Sequence, residues 1–371
     1  MAINDKLFSK RHTASNILLA SALAANCGHA AAETDIPLVM PRGISLPFPI
    51  YRDGLSDFLD LVPIERSSRI SNPRVGLALG GGGTRGSAHV GVIQVLTEAG
   101  IPIDCIAGTS MGSIVGGLYA SGVPIDKLEE IVRKNKAMKA FVGLPLPIKF
   151  AVAPVKFVPR VLGIKRFDGL EKSTRFKRFI TKLLPEDRRN IEDLHIPYCA
   201  VALNLVNGSP YAFTKGDLAQ AMQASSAVPI LKHPVRMDDA LFVDGGVISN
   251  LPVKEARTIL GANFVIAVNV DERFTEEPIE EFLKVGSVAS RIIKLELANK
   301  DHAAMLEADI VIHPKVEGIG LLSTKPSDAV KALEAGRQAA RNSLPALRMA
   351  LEKRGVRLAR KEDETNKEVE K

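Results

Sequence analysis

Two glycine-dense stretches hold the residues best able to do chemistry. In the first, Val75-Gly-Leu-Ala-Leu-Gly-Gly-Gly-Gly-Thr-Arg-Gly86, a short apolar run leads into the unbroken glycines Gly80 to Gly83. Without side chains, successive N–H groups can converge on one anionic oxygen, and losing one such donor costs about 3 kcal/mol of transition-state stabilisation. The second stretch, Gly108-Thr-Ser-Met-Gly112, sets one hydroxyl, Ser110, between Gly108 and Gly112. Small residues two before and two after the serine let a strand–turn–helix junction close tightly and expose Oγ. At that helix N-terminus the dipole favours a developing oxyanion. A nucleophile and an oxyanion hole are the parts that ester hydrolysis most needs. The same pentapeptide is compatible with an N-cap serine after an ordinary strand–helix turn. The apolar strand before it and the apolar helix face after it favour the nucleophile.

The glycine run also fits another chemistry. Gly81-x-Gly83-x-x-Gly86 matches a dinucleotide fingerprint, which calls for an acidic residue at the end of the second strand, about 20 residues on. Asp104 has the distance but begins its strand, and the far end carries Gly-Thr-Ser-Met-Gly instead. A P-loop is excluded, because no Gly-Lys-Ser/Thr ending follows.

Ser110 needs a base. A triad in the order Ser, Asp, His draws on His302, in a polar helical stretch, or His313, at a strand end before Pro314. Asp244 differs from both. It closes the apolar run Leu241–Val243 and is followed at once by Gly245-Gly246, so its carboxylate sits on a tight turn at a strand end, although Asp-Gly-Gly is also a common plain turn. His89, in the helix after the glycine loop, reads as a packed structural residue rather than a catalyst.

The elements that must position these groups follow from periodicity. Apolar runs at Val75–Leu79, Asp104–Ala107, Tyr198–Val206, Tyr211–Phe213, Leu241–Val243, Phe264–Val270 and Ile310–His313 read as strands. Helices are expected after the glycine loop, with Gly100 as a stop, from Ser110 to Tyr119, from Pro124, and near 216–226, 252–260, 280–300 and 326–353. Alternating strands and helices predict a three-layer α/β/α domain with a mainly parallel sheet.

At 371 residues and 46% hydrophobic, the chain can bury a sizeable core. Its net charge of +7 is uneven, since Ile131 to Arg189 holds 16 Lys/Arg against 4 Asp/Glu. That balance suits an anionic partner, phospholipid headgroups or nucleic acid. Nucleic acid is disfavoured, because the region has no tyrosine or tryptophan for stacking and no recognition motif. The apolar and basic stretch Phe141 to Phe167 reads either as a lid or membrane-contact surface, or as a crossover segment packed on the core. Arg175, Lys177, Arg178 and Lys182 extend the basic face, which gives an expected peripheral membrane contact through 141–182.

Lys6, Lys10, Arg11 and His12 precede the apolar run Ile17 to Ala25, and Ala30-Ala-Ala32 offers a cleavage site before Glu33. Residues 1–32 therefore read as a signal peptide, and export to a periplasmic or membrane-associated location is expected, with an uncleaved amphipathic helix in a cytoplasmic protein as the alternative. The residues before Cys27 fit a lipid-modification site poorly. Residues 33–72, broken by Pro37, Pro41, Pro47, Pro49 and Pro63, read as a linker or wrapping arm. Cys105 and Cys199 lie in strand-like runs as small buried hydrophobes, and no metal-ligand spacing occurs. The boundaries expected are a catalytic core over 73–270, an α/β extension of the same domain over 271–354 and a charged, disordered tail over 355–371.

Gly-Gly-Gly-Gly-Thr-Arg-Gly86, then Gly-Thr-Ser-Met-Gly112, then Asp244-Gly-Gly246, each after a strand, resemble the motifs of patatin-like phospholipases. The similarity is to the bacterial branch related to neuropathy target esterase, and it extends to Asn250-Leu-Pro252. Gly80 stands where many relatives carry Asp. The resemblance implies a Ser–Asp dyad without histidine, Ser110 as nucleophile and Asp244 as base. It implies Gly81, Gly82 and Gly83 as oxyanion donors, with Thr84, Arg85, Gly86, Gly108, Gly112, Gly245 and Gly246 supporting the motifs. It implies no metal and no cofactor. The expected activity is hydrolysis of phospholipid or lysophospholipid esters through an acyl-enzyme. A Ser-His-Asp esterase and a non-catalytic lipid-binding or regulatory protein on the same fold remain the alternatives.

Overall fold

The computed structural model describes residues 73–143, 173–271, 276–283, 287–356 and 358. All of them belong to the unit Ser67–Lys371. The expected signal peptide, the proline-rich arm, residues 144–172 of the basic stretch and the tail from 359 lie outside the described residues.

Five-residue apolar runs build the centre. β1 (Val75–Leu79), β2 (Cys105–Thr109) and β7 (Phe264–Val268) are buried at every position, as parallel strands covered on both faces must be. β1 pairs in parallel with β2 on one side and β7 on the other, and β7 pairs in parallel with β8 (Ile310–Ile312). β2 in turn pairs in parallel with β3 (Tyr198–Asn204). Beyond β3 the direction reverses. β4 (Ser209–Phe213), β5 (Val235–Met237) and β6 (Ala240–Asp244) are antiparallel additions, and the path runs β5-β6-β3-β2-β1-β7-β8, with β4 beside β3.

Alternation along the strands separates two cores. Leu77, Leu79, Ile106, Ile266 and Val268 face one layer, which holds α1 (Ala88–Glu98), α2 (Met111–Ala120), α3 (Ile125–Arg133), α4 (Lys136–Val142), α5 (Thr174–Thr181), α6 (Leu218–Ser225) and α9 (Pro326–Lys353). Ala78, Cys105, Ala107, Cys199, Val201 and Ala267 face the other layer, with α7 (Val253–Thr258) and α8 (Ser287–Glu307). The result is a three-layer α/β/α arrangement. Both cysteines are buried and unbridged, and burial pushes the Cys105 thiol up to about 11.

α9 closes on α1 backbone to backbone. A Cβ on Gly91 would overlap the Leu333 carbonyl, and one on Gly336 would overlap the Ala88 carbonyl. The helix that follows the glycine loop is thereby clamped from the C-terminal part of the chain. β5, α4 and α5 have no counterpart in the periodicity reading. β5 is only three residues long, and α4 and α5 flank the stretch where the apolar rhythm breaks.

Candidate active site

β2 delivers Ser110 at its C-terminal end, and α2 begins at the next residue. Ser110 has φ 50° and ψ −120°, a backbone conformation that a non-glycine residue adopts only when its surroundings hold it there. The surroundings are specific. Ser110 N–H donates to Ser225 Oγ at 2.9 Å, and Ser225 Oγ donates to the Val201 carbonyl at 2.6 Å. A Cβ on Gly112 would overlap the Leu79 carbonyl, so this turn closes only with glycine there. Gly108 is equally confined, its missing Cβ lying 2.6 Å from Ser113 N.

Asp244 arrives from the opposite direction. Along β3, residues up to Val201 pair with β2, and Thr109 lies opposite Val201. From Ala202 onward β3 pairs with β6 instead, and Asp244 lies opposite Ala202. β4 pairs with both halves of β3 and so occupies its other side. The C-terminal ends of β2 and β6 therefore meet head to head along one edge of β3, at adjacent register positions. There Ser110 Oγ donates to Asp244 Oδ2 at 2.7 Å.

Asp244 is buried, with 5% of its surface exposed. Burial raises its pKa from 3.8 to about 6, against the opposing pull of hydrogen bonds from Gly246 N–H and Ser110. Gly246 N–H donates to Asp244 Oδ1 at 2.8 Å, which fixes the carboxylate plane. Gly245 is pressed against the Val201 carbonyl and has no room for a side chain.

The glycine loop lies beside Ser110, a Cβ on Gly81 being 3.2 Å from the Ser110 Cβ. Its N–H groups are not equivalent. Gly80 N–H donates to the Val268 carbonyl at 3.1 Å and Gly81 N–H to the Asn250 carbonyl at 3.2 Å. Among the described residues nothing accepts from the N–H of Gly82 or Gly83. Gly83 has φ +53°, and a Cβ there would overlap the Leu321 carbonyl. Thr84 Oγ1 donates to the Ser323 carbonyl at 2.7 Å and Arg85 Nε to the Ile319 carbonyl at 2.7 Å. Gly86 makes room for Met111. Thr84 and Arg85 thus tie the loop to residues 319–323, far along the chain.

His89 is fully buried and held neutral, its pKa lowered to about 4 by desolvation, and Nε2 donates to the Gly80 carbonyl at 2.8 Å. It packs under the loop and does not reach Ser110. His302 is exposed on α8, and His313 Nε2 lies 3.0 Å from the Asp271 carbonyl. The only side-chain partner of Ser110 Oγ among the described residues is Asp244. No group of three His, Cys, Asp or Glu suited to a metal ion occurs among them.

The family model described as patatin-like phospholipase matches residues 77–257. Residues 77–257 are a patatin-like phospholipase domain. Lysophospholipase NTE1 of Debaryomyces hansenii is 35% identical over 216 residues, which is 58% of this chain and 12% of that protein. An uncharacterized NTE family protein of Mycobacterium tuberculosis is 38% identical over 201 residues, 54% of this chain and 50% of the relative. The chain thus spans half or less of these curated relatives. Human GIVD cytosolic phospholipase A2, a solved structure, aligns over 76% of this chain and 62% of its own, with 10% identity and a TM-score of 0.44.

Several groups around the patatin-like site carry no sequence signal. Ser225 sits on an unremarkable helix. Asp271, Asp301 and residues 319–323 lie beyond the matched segment, yet they contact Asn250 or the glycine loop. Asn250 alone belongs to a motif, Asn-Leu-Pro, that the sequence reading singled out.

Proposed function

We propose that this chain hydrolyses carboxylic ester bonds of phospholipids or lysophospholipids through a Ser110–Asp244 dyad. The observation that carries the reading is the 2.7 Å hydrogen bond from Ser110 Oγ to a buried carboxylate whose proton affinity is raised toward neutrality. A base of that strength still exists as carboxylate at neutral pH, and it accepts a proton more readily than an exposed Asp. As Oγ attacks the ester carbonyl, its proton passes to Asp244 Oδ2. The carbonyl oxygen becomes an oxyanion received by the N–H groups of Gly82 and Gly83, each worth about 3 kcal/mol. Gly81 is left out of the donor set, because its N–H is engaged with the Asn250 carbonyl. Collapse of the tetrahedral intermediate breaks the C–O bond, and the departing alcohol or lysolipid takes the proton from Asp244. Water then gives a proton to Asp244 and attacks the acyl-serine, and Asp244 returns that proton to Ser110 Oγ as the acyl C–O bond breaks and the fatty acid leaves.

Peripheral membrane contact is proposed through the basic face of α5. Phe176 and Ile180 turn inward while Arg175, Arg178 and Lys182 are exposed, an arrangement suited to anionic headgroups. Phe141 and Val142 are buried against this helix, the Phe141 and Phe176 rings being 5.3 Å apart, and belong to the packing rather than to the contact surface.

Labelling by a fluorophosphonate probe tests the reading, with Ser110→Ala as control and lysophospholipid turnover measured in parallel. Covalent labelling at Ser110 and loss of turnover in Asp244→Asn support the dyad. Turnover abolished by His302→Ala or His313→Ala, with Asp244→Asn active, indicates a Ser-His-Asp esterase. A folded protein that neither labels nor cleaves any acyl ester is a non-catalytic lipid-binding protein.

A further inference from the structure

A second polar cluster lies directly behind the glycine loop, around Asn250. Its backbone carbonyl accepts the Gly81 N–H at 3.2 Å. Its side-chain Nδ2 donates to Asp271 Oδ2 at 2.9 Å and to Asp301 Oδ2 at 2.8 Å. Both protons of the carboxamide are therefore committed, and two commitments fix the plane of the group. Oδ1 must then point away from the acids. It points at the site: a Cβ on Gly81 would lie 2.5 Å from Asn250 Oδ1, and one on Gly246 would lie 3.1 Å from it. Gly81 leads into the two free N–H groups, and Gly246 holds Asp244 Oδ1. One carboxamide thus buttresses the oxyanion loop and the turn of the base together.

We propose that Asn250, locked by the hydrogen-bonded Asp271–Asp301 pair, is a positioning residue that sets the glycine loop and the Asp244 turn in register for catalysis. The inference rests on the hydrolase reading above. The pair is costly to hold and asks for an explanation, because two carboxylates converging on one amide cannot both ionise cheaply. Asp301 is 3% exposed and bonds Asp271, and burial together with the Asp271 charge pushes its carboxyl well above the usual carboxylate range. A protonated Asp301 donates to Asp271, so the pair carries one charge and one proton. Among the described residues, the groups that face it include Asn250 and the Leu251 N–H from the segment after β6, Asp271 beyond β7 and, after β8, His313 against the Asp271 carbonyl. On α8 the neighbours Lys300 and His302 are exposed. Alkaline loss of the shared proton breaks the bond between the two acids, and their repulsion spreads the two acceptors that hold the amide in plane.

The test is turnover of a soluble lysophospholipid by the full chain across neutral to alkaline pH, for wild type, Asn250→Ala and Asp301→Asn. Asn250→Ala is expected to lower kcat by about tenfold to a hundredfold with KM nearly unchanged, as misplacement of reacting groups does. Asp301→Asn supplies an amide that donates to Asp271 without a titratable proton. It is expected to keep wild-type kcat at neutral pH and to move the alkaline loss of activity to higher pH. Asn250→Ala with wild-type kcat overturns the proposal. So does Asp301→Asn with the wild-type alkaline limb, a comparison that stands even if Asn250→Ala fails to fold. A wild-type protein that neither turns over nor labels at Ser110 overturns the hydrolase reading and this inference with it. Wild-type activity with unaffected variants overturns this inference alone.

Discussion

Replacing Asp244 by Asn should remove activity and at the same time stabilise the fold. Burial lifts the Asp244 pKa from 3.8 to about 6. Between those values the folded protein keeps a proton that the unfolded chain has released, so folding is favoured by acid and that contribution is lost as pH rises to about 6. Above that range the ionised carboxylate remains in a site that disfavours it, at a cost of about 3 kcal/mol. Asn keeps the shape and an oxygen for the Gly246 N–H while removing the charge. The expected gain at neutral pH approaches that 3 kcal/mol, a rise in Tm of about 5 °C for a unit of this size. Thermal or urea unfolding of both proteins at several pH values measures it. The gain should shrink as pH falls from about 6 to 3.8, where wild-type Asp244 also becomes neutral. An Asn variant no more stable than wild type at neutral pH, or a gain independent of pH, would refute the claim that burial strains this carboxylate.

Other consequences concern the same site. If Asp244 acts as the proposed base it must be ionised, so kcat should fall about tenfold per pH unit below about 6 in a pH–rate profile on a soluble ester. Ser225→Ala leaves the Ser110 N–H without its acceptor and should cost about 1–3 kcal/mol in denaturant unfolding, with a lower rate of fluorophosphonate labelling. Gly83→Ala forces an L-residue into positive φ at about 1–2 kcal/mol and drives its Cβ onto the Leu321 carbonyl, so labelling at Ser110 should drop about a hundredfold.

The amino-acid sequence by itself determined the parts. A five-residue apolar run, a glycine turn and an apolar helix face are patterns confined to about ten residues, where side-chain period and backbone permission leave local marks. Such marks located Ser110, the glycine loop, Asp244 and the alternation that makes the three-layer sheet. They also separated His89 from the chemistry, since a histidine inside an apolar helix face packs.

The tertiary structure decided how the parts meet. Ser110 and Asp244 are 134 residues apart, and their contact depends on β6 reversing direction to fill the edge of β3 that β2 leaves open. Sheet register of that kind is a property of paired backbones, and neither strand carries a mark of it. The same holds for the division of labour among the glycines. Gly81 is chemically identical to Gly82 and Gly83, and only the approach of the Asn250 carbonyl takes its N–H out of the loop's free donors. Of the groups from beyond the recognised domain, Asp271 arrives just after β7, Asp301 on α8, and the carbonyls of residues 319–323 just ahead of α9, which packs closely on α1. The candidate site was legible in residue types because its marks are local. Its geometry was not, because it is held by contacts between segments far apart along the chain.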